Sequence, residues 1–294
     1  MNLLKKLFLS FVSLLMIAVF VLLIYVASVP KINVLYEIDE HTYYQSSRSI
    51  FRHKLRLDDY DHVANVLMND DRWYATANQD QRRYYLSYDK EKKVTVSVSD
   101  ESHDFSKIYS SFMYNGMYTV LYEYADDDES TGRILLSIDF ENKKRIKTEL
   151  PQQLSAGKIV SDGQKLFGTD KDYIYLLDEN MSLKRIAKGS DVVSVDDKLL
   201  FYVSNGKICQ YDLAAQKTSF VQNSPNLEKY DAVDPDEFYT IRNKYFIGCT
   251  LGFVDYSDSS SLLSCTTVYD LSRGKKYWFV GNLGKVATHF QIIN

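Results

Sequence analysis

The chain has 294 residues, of which 45% are hydrophobic and 25% charged, and a formal net charge of −4. Those proportions exclude a disordered or low-complexity polymer and leave enough apolar material for a sizeable core. The charge balance, with short basic clusters only at Lys90–Lys93 and Lys143–Lys147, both read as solvated hairpin ends, excludes a nucleic-acid footprint.

The N-terminus sets location. Met1 to Lys6 carries two lysines, Leu7 to Val29 carries no charge, and Pro30 ends the run. A helix over that run reaches about 35 Å at 1.5 Å per residue, longer than a bilayer hydrocarbon core. Lys5 and Lys6 precede it, while Glu37, Asp39 and Glu40 follow, which favours a cytoplasmic N-terminus and a C-terminal domain that is periplasmic or extracellular. A cleaved signal peptide is the rival reading. Its apolar region would ordinarily be about 7–15 residues, and Val26-Ala27-Ser28 is a weak cleavage site, so an uncleaved signal anchor is preferred. The expected organisation is a cytoplasmic tail over 1–6, a transmembrane helix over 7–29 and an extracytoplasmic domain over 30–294.

Beyond Pro30 the chain reads as β-structure. The 24 tyrosines and 15 phenylalanines suit half-buried strands. Strands are predicted at His41–Gln45, Ser49–Leu57, Arg72–Thr76, Arg83–Tyr88 and Val94–Val98, with Asp58–Leu67 as a short helix or irregular connection and Asp100–Asp104 as a loop. Further strands follow at Ile108–Tyr114, Tyr118–Tyr124, Ile134–Asp139 and Tyr173–Leu177. Asn115-Gly116 and Asp162-Gly163 are tight-turn signals. The acidic stretch Asp126 to Gly132 lacks the alternating ligand spacing of a calcium-binding loop and reads as a solvated hairpin tip, with calcium as the only cofactor it would admit. Asn223–Leu227 reads as a linker. Phe238–Ile241, Tyr245–Leu251, Leu262–Tyr269 and Lys276–Val280 are the next strands. A final apolar strand, Val286–Ile293, is expected to pair with Val34–Ile38 or with the strands just after it.

The clearest unit is Asp196 to Lys217. Two β-prone runs, Leu199–Ser204 and Lys207–Leu213, flank Asn205-Gly206, which fits a type I′ turn because both central residues need positive φ. That turn sets Val203 opposite Ile208, Tyr202 opposite Cys209 and Leu200 opposite Tyr211. Both faces are then apolar, so the sheet is expected to be covered on both sides. The second run ends in Asp212, an Asx-turn residue, followed by Lys217. Similar strand-Asp-turn-Lys endings occur at Asp89, Asp139, Asp178 and Asp270, with a weaker one at Asp58, about 42 residues apart on average.

The stretches Tyr211-Asp212-Leu213-Ala214-Ala215-Gln216-Lys217 and Tyr269-Asp270-Leu271-Ser272-Arg273-Gly274-Lys275 resemble the strand-turn-strand segment of bacterial β-propeller repeats of the WD40-like, YVTN and PQQ-binding types. The resemblance covers roughly Val34 to the last residues and implies four-stranded blades around a central channel. Trp73 and Trp278 are the only tryptophans and form no docking motif, so no PQQ cofactor is expected. The expected fold is all-β: a β-propeller of six blades, with seven as the alternative, preceded by one N-terminal transmembrane helix.

Cys249 and Cys265 lie on runs joined by a polar loop. A hairpin centred on Ser257 would place them opposite each other, and in an oxidising compartment a disulfide there would add about 3 kcal/mol. Cys209 reads as a core residue. Motifs for nucleophilic, nucleotide or zinc chemistry are absent from the sequence, and none of His41, His53, His62, His103 and His289 has metal-ligand spacing. The functional expectation is a membrane-anchored binding or scaffold module of the cell envelope, more a non-enzyme than an enzyme, whose partners are the lipid bilayer and a protein, peptide or glycan. The alternative is a propeller-type hydrolase or lactonase with a channel-bound metal.

Overall fold

The computed structural model describes residues 2–39, 41–49, 51–57, 60, 62–68, 71–80, 82–100, 105–125, 131–154, 158–225, 227, 239–256, 259–283 and 287–293. Among the described residues lie helix α1 (Asn2–Ser28), a 3₁₀ turn (Gln152–Leu154) and twenty-four strands forming six four-stranded sheets. In chain order, blade one holds β1 (Asn33–Ile38), β2 (His41–Ser46) and β3 (His53–Lys54). Blade two holds β4 (His62–Met68), β5 (Arg72–Gln79), β6 (Arg82–Asp89) and β7 (Val94–Asp100). Blade three holds β8 (Phe105–Tyr114), β9 (Met117–Ala125), β10 (Thr131–Asp139) and β11 (Lys144–Glu149). Blade four holds β12 (Val160–Ser161), β13 (Leu166–Thr169), β14 (Tyr173–Leu177) and β15 (Leu183–Lys188). Blade five holds β16 (Asp191–Asp196), β17 (Leu199–Ser204), β18 (Lys207–Asp212) and β19 (Lys217–Phe220). Blade six holds β20 (Tyr239–Arg242), β21 (Tyr245–Tyr256), β22 (Ser259–Asp270) and β23 (Lys275–Leu283). The last strand, β24 (Thr288–Ile293), returns to blade one, whose order is β24-β1-β2-β3. The protein is a six-bladed β-propeller.

Blade five follows its sequence closely. Tyr202 pairs with Cys209, Val203 with Ile208 and Leu200 with Tyr211, around Asn205 (φ 50°) and Gly206 (φ 68°). Leu200, Tyr202, Cys209 and Tyr211 pack against blade four, while Phe201, Val203 and Ile208 belong to the cluster that continues into blades six and one. Each face is therefore buried against a different neighbour, which is why neither could be polar. The same scheme runs around the ring: one apolar cluster joins blades one and two, another blades two and three, another blades three and four.

The aspartate turns also have a physical role. Asp89, Asp139, Asp178, Asp212 and Asp270 each accept backbone N–H groups two to four residues on, closing the turn from the third strand to the fourth in blades two to six. Asp139 is held below the usual carboxylate range chiefly by the Asn142 side-chain amide and then by the Asn142 N–H, and Asp89 chiefly by the Lys92 N–H. Asp58 and the acidic stretch 126–130, together with 101–104, lie outside the described residues. Blade one closes its β2–β3 connection without an aspartate. Ser47 accepts from the Ile32 N–H and donates to the Pro30 carbonyl.

Several expectations need correction. Within the stretch Asp58–Leu67, residues 62–67 are not helix or loop but belong to β4, whose bulge between Ala64 and Leu67 interrupts the period-two pattern. Lys143–Lys147 is mostly β11, an outermost strand whose exposed face is free to be basic. Leu183–Lys188 and Lys217–Phe220 are further strands that their polar composition concealed, and Asp191–Asp196 is another, its alternation interrupted by the bulge between Val192 and Ser194. The register needed for a Cys249–Cys265 disulfide is also not the one observed. The hairpin pairs Tyr256 with Ser259, Cys249 with Thr266 and Thr250 with Cys265.

Helix α1 meets the propeller without a spacer. Val29 and Ile32 are buried in the cluster shared by blades five, six and one, and Tyr25 packs against it. The Trp278 N–H donates to the Tyr25 hydroxyl at 2.8 Å, and Arg48 donates to the Val29 carbonyl at 2.6 Å. From Leu7 to Ile24 the helix is uncharged and exposed all round, while Tyr25 and Val26 are half-buried against the propeller.

Candidate functional site: the central channel

The innermost strands β4, β8, β12, β16, β20 and β24 enclose a channel of about 510 Å³, to which all six blades contribute. These strands are short or bulged. Shifts in pairing fall between Ala64 and Leu67 in β4, Ile108 and Ser110 in β8, and Val192 and Ser194 in β16. Two bulge-region residues, Asn65 (φ 52°) and His289 (φ 51°), adopt left-handed backbone. A bulge turns backbone polar groups out of the ladder, so those groups must find partners elsewhere. Here they find them on neighbouring blades.

Asn65 is the centre of one such set. Its N–H donates to Glu37 Oε1 at 2.5 Å, and its side-chain amide donates to Thr76 Oγ1 at 3.0 Å. Its carbonyl accepts from the hydroxyls of Tyr118 (2.7 Å) and Ser111 (3.1 Å). Blades one, two and three are thereby tied together at one residue. Burial drives the Tyr118 hydroxyl far above its ordinary pKa, so it stays a neutral donor. On the other side of Glu37, Oε2 lies 3.3 Å from His289 Nδ1 of β24. A carboxylate and an imidazole thus meet in the channel wall, and Glu37 is 8% exposed.

The mouth at which the inner strands end is polar. Asp162, Asp196, Asp197 and Arg242 line it. The Asn243 N–H donates to Asp196 Oδ2 at 2.6 Å, Arg242 donates to the Ile292 carbonyl at 2.9 Å, and the Met68 N–H donates to Gln291 Oε1 at 3.2 Å. These bonds run from blade five to six, six to one and one to two. They hold the rim while leaving charged groups of both signs facing the opening. Apolar side chains, among them Val193, Ile241 and Phe112, line the wall between. The arrangement suits a ligand with mixed polar and apolar parts, held by hydrogen bonds at the rim.

Of the histidines and cysteines singled out in the sequence, His289 alone among the described residues lines the channel, together with the turn residues Asp162 and Gly163. His41 and His62 stack on each other at 5.0 Å between blades one and two, His53 lies exposed on β3, and His103 lies outside the described residues. Cys209 is buried between blades four and five, and that burial raises its thiol pKa. Among the described residues, no three His, Cys, Asp or Glu side chains are grouped so as to hold a metal ion. Glu37, Asn65, Asp196, Asp197 and Arg242 were missed. For the last three the available signal was position: each belongs to, or directly follows, a strand leading into a tight turn with positive φ at Asp197 or at Asn243 and Lys244.

No protein-family model matches the chain, and no curated protein matches it. Among solved structures, the chain is similar to TolB from Acinetobacter baumannii, with a TM-score of 0.56 at 10% identity over 88% of this chain and 66% of that one. It is also similar to a functionally unknown protein from Desulfotomaculum acetoxidans (TM-score 0.49, 13% identity, 91% and 90% of the two chains) and to Pyrococcus horikoshii acylaminoacyl peptidase (TM-score 0.46, 12% identity, 83% and 49%). The chain thus spans 66% of TolB and about half of the peptidase. At such identities the likeness to TolB is one of fold, and the class it supports is the β-propeller.

Proposed function

We propose that this protein is a single-pass, membrane-anchored propeller of the cell envelope, with α1 in the bilayer, the body outside it, and the central channel as a non-catalytic binding site for part of a protein, peptide or glycan partner. The observation that carries the anchor is the join between helix and propeller. Val26-Ala27-Ser28 forms the last turn of α1, and Val29 just beyond it is a core residue, so the chain around the one candidate cleavage site is built into the folded structure. The uncharged surface of Leu7–Ile24, uncovered by the body, suits lipid rather than water. Repeats of the WD40-like or YVTN kind suit such a display role, since blades supply a rigid rim from many strands.

Binding rather than catalysis is favoured because Glu37, Asn65 and Gln291 in the channel wall are engaged in inter-blade bonds, while Asp162, Asp197 and Arg242 at the rim are placed to meet a ligand. Two measurements test the reading. Protease added outside sealed cells or spheroplasts is expected to digest the body and leave an epitope at the N-terminus protected; an N-terminus exposed outside would refute the topology. A photo-crosslinking residue at Asp197 is expected to trap a partner, and Ser194→Trp, which fills the channel, is expected to abolish that adduct. Retention of the adduct at full yield would refute the channel as the site.

A further inference from the structure

The edge of the propeller around the end of α1 differs from the rest of the surface. It comprises the β2–β3 connection of blade one and the β23 edge of blade six, because Arg48 and Trp278 both bond the last turn of the helix or the residue after it. Between Ser46 and Leu57 the chain has four Lys or Arg and no Asp or Glu, and from Leu271 onward it again has four and none, in a protein whose overall balance is acidic. Two large apolar side chains stand out of this same edge: Phe51 is 71% exposed and Trp278 52%. Lys54, Lys275 and Lys276 are also exposed, and Lys276 lies over the Trp278 ring at 4.9 Å.

Geometry fixes where that edge sits. Tyr25 is in the last turn of the apolar helix, and the Trp278 amide is 2.8 Å from its hydroxyl. Trp278 is therefore held at the depth of Tyr25, where a span of this length gives way to headgroups. Tyrosine and tryptophan favour that layer, because each has an apolar body and a polar tip. Phe51 follows Arg48 by three residues, so its Cα lies within about 11 Å of that of Arg48, whose side chain bonds the Val29 carbonyl. Cations beside an aromatic pair at a bilayer boundary complement phosphate-bearing headgroups.

We propose that this edge, Phe51, Arg52, Lys54, Trp278, Lys275 and Lys276, is a docking surface for the anionic phospholipid headgroups of the membrane that α1 enters. It rests on the reading of α1 as an anchor and goes beyond it: the propeller lies against the lipid by its own side chains and is not merely tethered. The surface holds blades six and one down and leaves blades three and four outermost.

The test uses the full chain in lipid nanodiscs, with Trp73→Phe so that Trp278 is the sole tryptophan. Discs are made of phosphatidylcholine alone or of phosphatidylcholine mixed with phosphatidylglycerol, each with brominated acyl chains. Trp278 emission is expected to be quenched at least about twofold more in the anionic discs, with the excess lost at high salt. Arg52→Glu/Lys54→Glu/Lys275→Glu is expected to reduce quenching to the level of neutral discs while the chain stays with the discs and keeps its thermal transition. Equal quenching in both lipids, or in the variant and the parent, with the chain still disc-bound, would overturn the docking surface and leave the anchor standing. A chain that elutes apart from the discs would overturn both.

Discussion

Blades five and one each contain four strands but are put together differently. Blade five runs without interruption from Asp191 to Phe220, and each of its strands pairs with the next in sequence. Blade one takes three strands from the start of the body and its innermost strand from Thr288–Ile293, with Val34 opposite Ile292 and Asn33 opposite Ile293. The first kind of blade depends on its own turns. The second depends on the whole ring being in place, because β24 and β1 meet only when the other five blades have brought them together. Local chemistry therefore governs blade five, and long-range closure governs blade one.

The largest effect expected from this difference comes from deleting residues 288–293. Val34, Leu35 and Tyr36 would lose their cover, as would the Glu37–His289 contact, and Phe290 and Ile292 would leave the core. Loss of the single cooperative unfolding transition is expected in a calorimetric scan; a melt like that of the intact chain would show that closure is dispensable. Gly189→Ala, at the entrance to blade five, comes next. A Cβ there would lie 2.6 Å from the Val203 carbonyl oxygen, a backbone atom that cannot step aside, so destabilisation of about 1–3 kcal/mol is expected in urea titrations. Gly206→Ala meets no atom within 4 Å, yet its φ of 68° is unfavourable for alanine, and about 1 kcal/mol is expected, all of it conformational.

A smaller effect should come from acid. Asp89 and Asp139 have folded pKa values below the ordinary 3.8, so they stabilise the fold above that value, and the contribution is lost as pH falls through their folded pKa. The melting temperature is expected to fall below about pH 4, and Asp139→Asn should flatten that fall slightly; the reverse slope would contradict the turn chemistry. The smallest expected effect is that of a reductant. Peptide mapping without reduction should recover Cys249 and Cys265 in separate peptides, and dithiothreitol should leave the melt unchanged; a linked pair would mean a register other than the Cys249–Thr266 one.

The two blades also explain what could be read from the chain alone. Asn205-Gly206 dictates a two-residue turn, so the register of β17 and β18 followed from it residue by residue. Five aspartates marked the third-strand turns of blades two to six for the same local reason. Blade six was legible up to its long hairpin, where a symmetric centre at Ser257 was the natural choice and the true register is one residue away. The inner strands were harder. β4 carries a bulge at Asn65 whose left-handed backbone breaks the alternation, and β12 has only two residues. Their side chains answer to neighbouring blades, as Asn65 does to Glu37 and Tyr118, and such contacts across 28 and 53 residues leave no local pattern. The channel was hidden because it is made of exactly these strands.

The joining of β1 to β24 has a consequence for how the protein is made. Roughly 250 residues separate them, which a ribosome needs some ten to fifty seconds to add. Throughout that interval the first blade lacks its inner edge and the ring stays open. The ring can shut only when the final strand arrives, in one late step.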